Sequence, residues 1–250
     1  GRFDLALRTL EEMKGLRPKE PDLQARAVEL LLKTGREEEG ARQALELIAV
    51  WFEAGEDSRA LEMLRRVAEI NPNDIERRIM LARMIHDHGR IEAARQEFFL
   101  TSTKLFGEMQ WEACRHACEA GLELFENDVR LRDLLGRALI KLGRRGEAIE
   151  SQLHLATLYE ERGEAVRAQR VYESILEMQP DHLATLEAMV EWALRHDRPA
   201  LAVDNLLRLS EAHYLAGDLE RATRSMEQIA RIDPNRAELM ARLAELYLEG

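Results

Sequence analysis

The chain has 250 residues, with 36 basic and 47 acidic side chains and a net charge of −11, a balance that opposes a nucleic-acid binder working through general phosphate attraction. Hydrophobic residues make up 46% and charged ones 33%, while only 6 prolines and 14 glycines occur, which excludes a loop-rich or all-β protein. The longest apolar stretch, Leu45 to Phe52, is short and contains Glu46, so no segment has the length of a membrane helix. The first residues, GRFDLALRTLEEM, lack the layout of a signal peptide. Two cysteines, Cys114 and Cys118, cannot make a disulfide framework, so a reducing compartment, the cytoplasm, is the default expectation.

An internal period organises everything else. Pro18, Pro72, Pro180 and Pro234 fall on one series with a spacing of 54, with Glu126 in the remaining slot. Gly35, Gly89 and Gly143 are 54 apart and Asp197 continues the series, each followed by an arginine: Arg36, Arg90, Arg144 and Arg198. Further series run Gly1, Gly55, Met109, Gly163, Gly217 and Ala6, Ala60, Cys114, Ala168, Ala222, with no insertion or deletion. The chain is an array of 54-residue repeats: 19–72, 73–126, 127–180 and 181–234, with partial repeats 1–18 and 235–250. It is expected to form a single continuous domain over 1–250. The last segment, Ala237 to Glu249, still carries a Leu239, Leu243, Leu246, Tyr247 stripe where a polar cap would be needed, so the chain is expected to be a fragment of a longer array, or to pack on something at its ends.

Each repeat predicts three helices. In the first, helix A spans Asp22 to Thr34 and ends at Gly35-Arg36; helix B spans Glu37 to Ala54 and ends at Gly55; helix C spans Asp57 to Ile70 and ends at Asn71-Pro72. Glycine just past a helix and proline soon after are stop signals with a backbone cause. Asp74, Asp128 and Asp181 stand where N-caps are needed. With the partial repeats the count comes to about fourteen helices and no β-sheet.

The pattern within each repeat resembles the tetratricopeptide repeat (TPR) superfamily. In Ala41–Asp74, Leu47 and Ile48 take the first packing pair, Trp51 the large site, Gly55 the turn, Ala60 the small site, Leu64 and Val67 the next packing sites and Pro72 the closing proline. The third repeat matches with Leu155, Ala156, Tyr159, Gly163, Ala168, Tyr172, Ile175 and Pro180. The fourth matches with Leu209, Ser210, Gly217, Ala222, Met226, Ile229 and Pro234, its large aromatic displaced by one to Tyr214. The second, with Cys114, Cys118 and Gly121, diverges most. Plain TPRs repeat every 34 residues; here helix A also reads as a first TPR helix (Leu81, Ala82, Ile85; Leu135, Gly136, Leu139), paired with helix B through Ala94, Ala148 or Ala202. Helix B thus serves two overlapping motifs. The resemblance implies an all-α, right-handed α-solenoid of TPR-like repeats acting as a non-enzymatic interaction scaffold. Three helices per repeat raise a parity problem. Short loops favour antiparallel neighbours, so equivalent units require a break in the zigzag, expected at the proline-containing C-to-A connection or at a kink in helix B.

The chemistry-bearing residues read mostly as structure. Cys114 and Cys118 sit on core phases, with His116 between them pointing elsewhere, which favours buried thiols over zinc. His86 and His88 flank Asp87 but point to different sides of a helix. The four turn arginines fit binding of turn carbonyls or of carboxylates along a ridge. Trp51 and Trp192 lie on apolar phases; Trp111 precedes helix C. No serine–histidine–acid set, phosphate loop or nucleotide fingerprint stands out, and no cofactor or metal is expected.

By the resemblance, helix A lines the inner groove and presents Glu29, Arg83, Arg137 and Glu191 at one phase, with Asp22, Glu76, Arg130, Lys141 and Arg195 nearby. Arg83 and Arg137 would face an acidic peptide from successive repeats. The asparagines of the TPR carboxylate clamp are missing. The expected function is therefore an adaptor binding a peptide or helix of a protein partner, with neither nucleic acid nor membrane insertion. A docking or regulatory arm of a larger enzyme and an end-to-end self-assembling array are the alternatives.

Overall fold

The computed structural model describes residues 20–70 and 74–234, together with Leu5, Thr9, Ala241 and Glu245. Among the described residues there are twelve helices and no strands. They are α1 (Pro21–Lys33), α2 (Glu37–Glu53), α3 (Asp57–Ile70), α4 (Ile75–Asp87), α5 (Ile91–Gly107), α6 (Trp111–Leu124), α7 (Val129–Lys141), α8 (Arg145–Glu161), α9 (Ala165–Met178), α10 (Leu183–Arg195), α11 (Pro199–Leu215) and α12 (Leu219–Ile232). Apart from those four residues, the two terminal half-repeats, with the Leu239, Leu243, Leu246, Tyr247 stripe, lie outside the described residues, as does Pro72. The lengths run 13, 17 and 14 residues four times over, and equivalent helices start 54 residues apart.

The turns explain the glycine series. All eight A-to-B and B-to-C turns contain one residue with positive φ, from 53° at Asp197 to 77° at Gly217. Glycine reaches that region without a Cβ penalty. The bend is kept even where Met109 (φ 60°) or Asp197 replaces glycine. In each turn the following N–H donates to a carbonyl five residues back, as Arg36 N to Leu31 O at 3.0 Å and Glu164 N to Tyr159 O at 2.8 Å. This Schellman closure satisfies carbonyls the helix end would leave bare. The turn arginines are first of all the residues that close it. Asp74 and Asp128 cap α4 and α7 through their carboxylates. In the fourth repeat the N-cap position falls on His182, not Asp181, and its ring bonds Thr185 Oγ1 at 2.8 Å.

The core follows the repeat. The small sites Ala60, Cys114, Ala168 and Ala222 are fully buried, as are Ala94, Ala148 and Ala202 on helix B. The large site holds Trp51 in the first repeat and Tyr159 in the third. In the fourth it is taken by buried His213, while Tyr214, expected to substitute for it, packs at the edge of the α10–α12 core.

The chain divides into two compact halves, residues 1–126 and 127–250. In the first half, Arg59 at the start of α3 reaches Asp22 at the start of α1, and Arg66 reaches Glu29 further along, so α1 and α3 run parallel. Arg77 near the start of α4 holds Glu38 at the start of α2, and His88 just past α4 stacks on Phe52 near the end of α2. Hence α4 runs with α2 and against α3. In the second half Arg195, ending α10, meets Glu160 at the end of α8, so α10 runs with α8 and against α9. The expected break is therefore absent at the C-to-A connections inside each half, α3 to α4 and α9 to α10, where neighbours stay antiparallel. Within each half, the helices of the second repeat therefore point opposite to their equivalents in the first. Each half has two layers: α1, α3, α5 over α2, α4, α6, and α7, α9, α11 over α8, α10, α12.

Candidate functional site

Each repeat has one seam in which helices A and C lie side by side over helix B. In the first repeat the α1–α3 seam is spanned by Arg59–Asp22 (2.7 Å) and Arg66–Glu29 (3.5 Å), and the Arg59 guanidinium lies 4.7 Å from the centre of the Trp51 ring. In the second, α4 and α6 are joined by Arg83–Glu123 (2.6 Å) and Glu76–His116 (3.3 Å) above a floor of Phe98, which meets Phe125 edge-on. In the third, Arg167 stands over Tyr159, and Gly136 leaves room for the buried Gln152.

In the third and fourth repeats no ion pair among the described residues spans helices A and C, and in the fourth a groove of about 530 Å³ opens between α10 and α12. Its floor is apolar, with Leu206 and Leu209 from α11, Val190 and Leu194 from α10 and Ile232 from α12; His213 closes one end. Glu187 and Glu191 line one wall and Arg221, Arg224 and Arg231 the other. Arg224 turns to Glu220 and Arg221 to Asp218, both on or just before their own helix. A second hollow of about 520 Å³ lies along α2 and α4, where Leu45, Met80 and Met84 meet Arg83 and Asp87.

The six residues singled out from the sequence do not share one surface. Glu29 and Arg83 belong to opposite layers of the first half, Arg137 and Glu191 to opposite layers of the second. Arg83 is held by Glu123, Glu29 by Arg66, and Arg137 by Asp133 at 3.7 Å on its own helix. Burial pushes the Asp133 carboxyl upward and Arg137 partly offsets it. Arg130 turns to its own N-cap Asp128 (3.5 Å), and Lys141 sits exposed in the last turn of α7. Only Glu191 lines the open groove.

The other candidates have structural roles. Cys114 and Cys118 are fully buried thiols, not joined in a disulfide; the Cys114 side chain, and then burial, hold the Cys118 thiol well above its ordinary pKa. His86 packs its edge on Phe125, while His88 stacks on Phe52 and donates from Nδ1 to Met84 O at 2.8 Å, so the two diverge. Thr34 and His196 bond the carbonyl four residues back at the same helix-end position, a shared capping device that only comparison by phase reveals. Arg36 and Arg144 pair with Glu39 and Glu147 on helix B, while Arg90 reaches back to Asp57 at 2.6 Å. Trp51 and Trp192 are core; Trp111 is half-buried against Phe106. Among the described residues no cluster of three or more His, Cys, Asp or Glu could hold a metal ion, and no helix is long and apolar enough to cross a membrane.

The tetratricopeptide repeat family pattern matches residues 150–182, the B–C hairpin of the third repeat. With its recurring helical register, the chain is a TPR-like repeat protein. Solved structures similar to it include the TPR domain of P58(IPK), at 17% identity over 98% of this chain and 73% of that one, with a TM-score of 0.26. Naa15/Naa10 bound to HypK-THB is similar at 16% identity over 95% and 41%, TM-score 0.34. Pseudomonas aeruginosa pilF is similar at 15% identity over 84% and 99%, TM-score 0.23. No curated protein sequence matches the chain. TPR-like repeats generally mediate protein–protein interaction and are typically non-catalytic.

Proposed function

We propose that the chain is a non-enzymatic interaction scaffold that takes a peptide or helical segment of a protein partner in the groove between α10 and α12. The observation that supports it is the contrast between seams. In the first two repeats ion pairs bridge helices A and C, whereas in the fourth the same positions leave an apolar floor open to solvent. Apolar surface bounded by charged rims is the usual anatomy of a docking site. The unbroken register across Glu126 and Asn127 supports reading both halves as stretches of one array.

A displayed library of helix-forming peptides tests this, selected on the intact chain and re-selected on Ser225→Trp, which fills the groove from α12. Binders lost in the variant support the reading. Binders indifferent to it move the site elsewhere, and an absence of binders overturns the scaffold reading for this chain.

A further inference from the structure

The two walls of the α10–α12 groove carry opposite charge. Along α12, Arg221, Arg224 and Arg231 recur at helical spacing; along α10, Glu187 and Glu191 sit one turn apart. Both rows stand above the same apolar floor. Leu194 is 49% exposed on the acidic side, so the floor reaches solvent. An extended anionic chain would satisfy the arginines but meet the glutamates. A basic one would do the reverse. We propose that the occupant is an amphipathic helix of a partner protein with acidic residues along one flank and basic residues along the other. Its apolar face fills the floor, its carboxylates face α12 and its cations face α10.

Opposite walls also fix direction. Turning a docked helix end for end exchanges its flanks, so a helix with segregated charge has one matched orientation and one in which both walls repel it. A helix whose flanks are exchanged docks reversed. The groove therefore reads the order of charge around a helix and converts it into polarity of binding.

This inference rests on the docking reading above and is tested separately from it. Three labelled helical peptides of about 18 residues, long enough to hold helical structure, share one leucine face and carry flanks of glutamate plus lysine, glutamate only, or lysine only. Fluorescence anisotropy measures each on the intact chain and on Glu187→Lys/Glu191→Lys, whose substituted side chains are exposed. The segregated peptide is expected to bind the wild type about tenfold tighter than either uniform one, as a few rim ion pairs allow. In the variant the all-glutamate peptide should become the best ligand. Equal affinity of all three for the wild type overturns the charge reading while leaving the groove a docking site. Binding by none of them overturns both.

Discussion

The α4–α6 seam and the α10–α12 groove are the same place in the repeat, two repeats apart. Arg83 and Glu123 of the first correspond to Glu191 and Arg231 of the second, with the polarity reversed; Glu76 and His116 correspond to Ala184 and Arg224. In the seam both positions bridge. In the groove Ala184 offers no carboxylate, so Arg224 turns to Glu220 one turn back on its own helix. Arg231 stands in the last turn of α12, where the helix dipole already favours a cation. Exposed ion pairs are worth about 0.2–1 kcal/mol each. The bridges that set the seam apart from the groove are therefore worth little energy.

The floor gives the largest expected effect. Phe98 and Leu206 occupy the same position, each 1% exposed. Phe98→Ala should cost about 3–5 kcal/mol, because the closed seam cannot collapse onto the cavity. Leu206→Ala should fall nearer 2 kcal/mol, since the groove above lets neighbours relax. Urea denaturation followed by circular dichroism measures both. Equal losses would mean that the open groove has no looser surroundings than the seam.

Tyr172 tests what holds the acidic wall in place. Its hydroxyl donates to Glu160 at 2.7 Å, and Glu160 takes Arg195 at the end of α10. Tyr172→Phe should cost about 1–3 kcal/mol, the penalty of leaving a half-buried carboxylate short of a donor. Burial, and then the Glu160 carboxylate, push the Tyr172 phenol above its ordinary value of 10.0. A folded-state pKa above the unfolded one gives stability that is intact below pH 10.0 and lost as pH rises through the folded value. The wild type should therefore lose stability on the alkaline side more steeply than the Phe variant. Parallel pH profiles would remove Tyr172 from the joint.

How far the sequence carried this comparison depends on the property asked for. Helix ends and turns were legible to within a residue, because glycine at positive φ and a following N–H closing the turn are local requirements: helix C of the first repeat falls on Asp57–Ile70 as expected. The fate of Cys114, Cys118, His86 and His88 was legible from register alone. Helix direction was not. Equivalence of repeats predicts a break, whereas within each half the second repeat runs reversed against the first, and nothing in a local pattern marks which layer a helix joins. The groove was hidden for a related reason. It coincides with a bridge not made between residues 40 apart, Glu191 and Arg231, where the second repeat pairs Arg83 with Glu123, and only comparing charges at equal phase exposes that difference. The large site of the fourth repeat went to His213 because phase, not aromatic character, decides it.

The third repeat offers an intermediate version of the seam. A Cβ on Gly136 would collide with the side-chain amide of Gln152. Gly136→Ala should cost about 1–3 kcal/mol by overpacking, even though alanine is the better helix former. Gln152→Ala in that background should recover most of the loss. A neutral Gly136→Ala would show that the Gln152 amide has somewhere else to go.

The smallest effect is the most direct test of the comparison. Arg83→Glu should destabilise the first half by no more than about 1 kcal/mol, given the 46% and 66% exposure of the pair. Glu123→Arg should behave alike, each leaving two like charges face to face across α4 and α6. The double variant restores opposite charges in the arrangement found at Glu191 and Arg231. If bridging depends only on opposite charge at those two positions, the double variant recovers wild-type stability, and a double-mutant cycle returns a coupling of about 0.5–1 kcal/mol. If the double variant instead loses the sum of the two single losses, coupling is absent and the reversed pair does not close, as in the fourth repeat, because Arg at position 123 sits where the end of α6 favours a lone cation. The second outcome would make polarity, not merely charge, the feature that decides whether a seam of this array is shut or open.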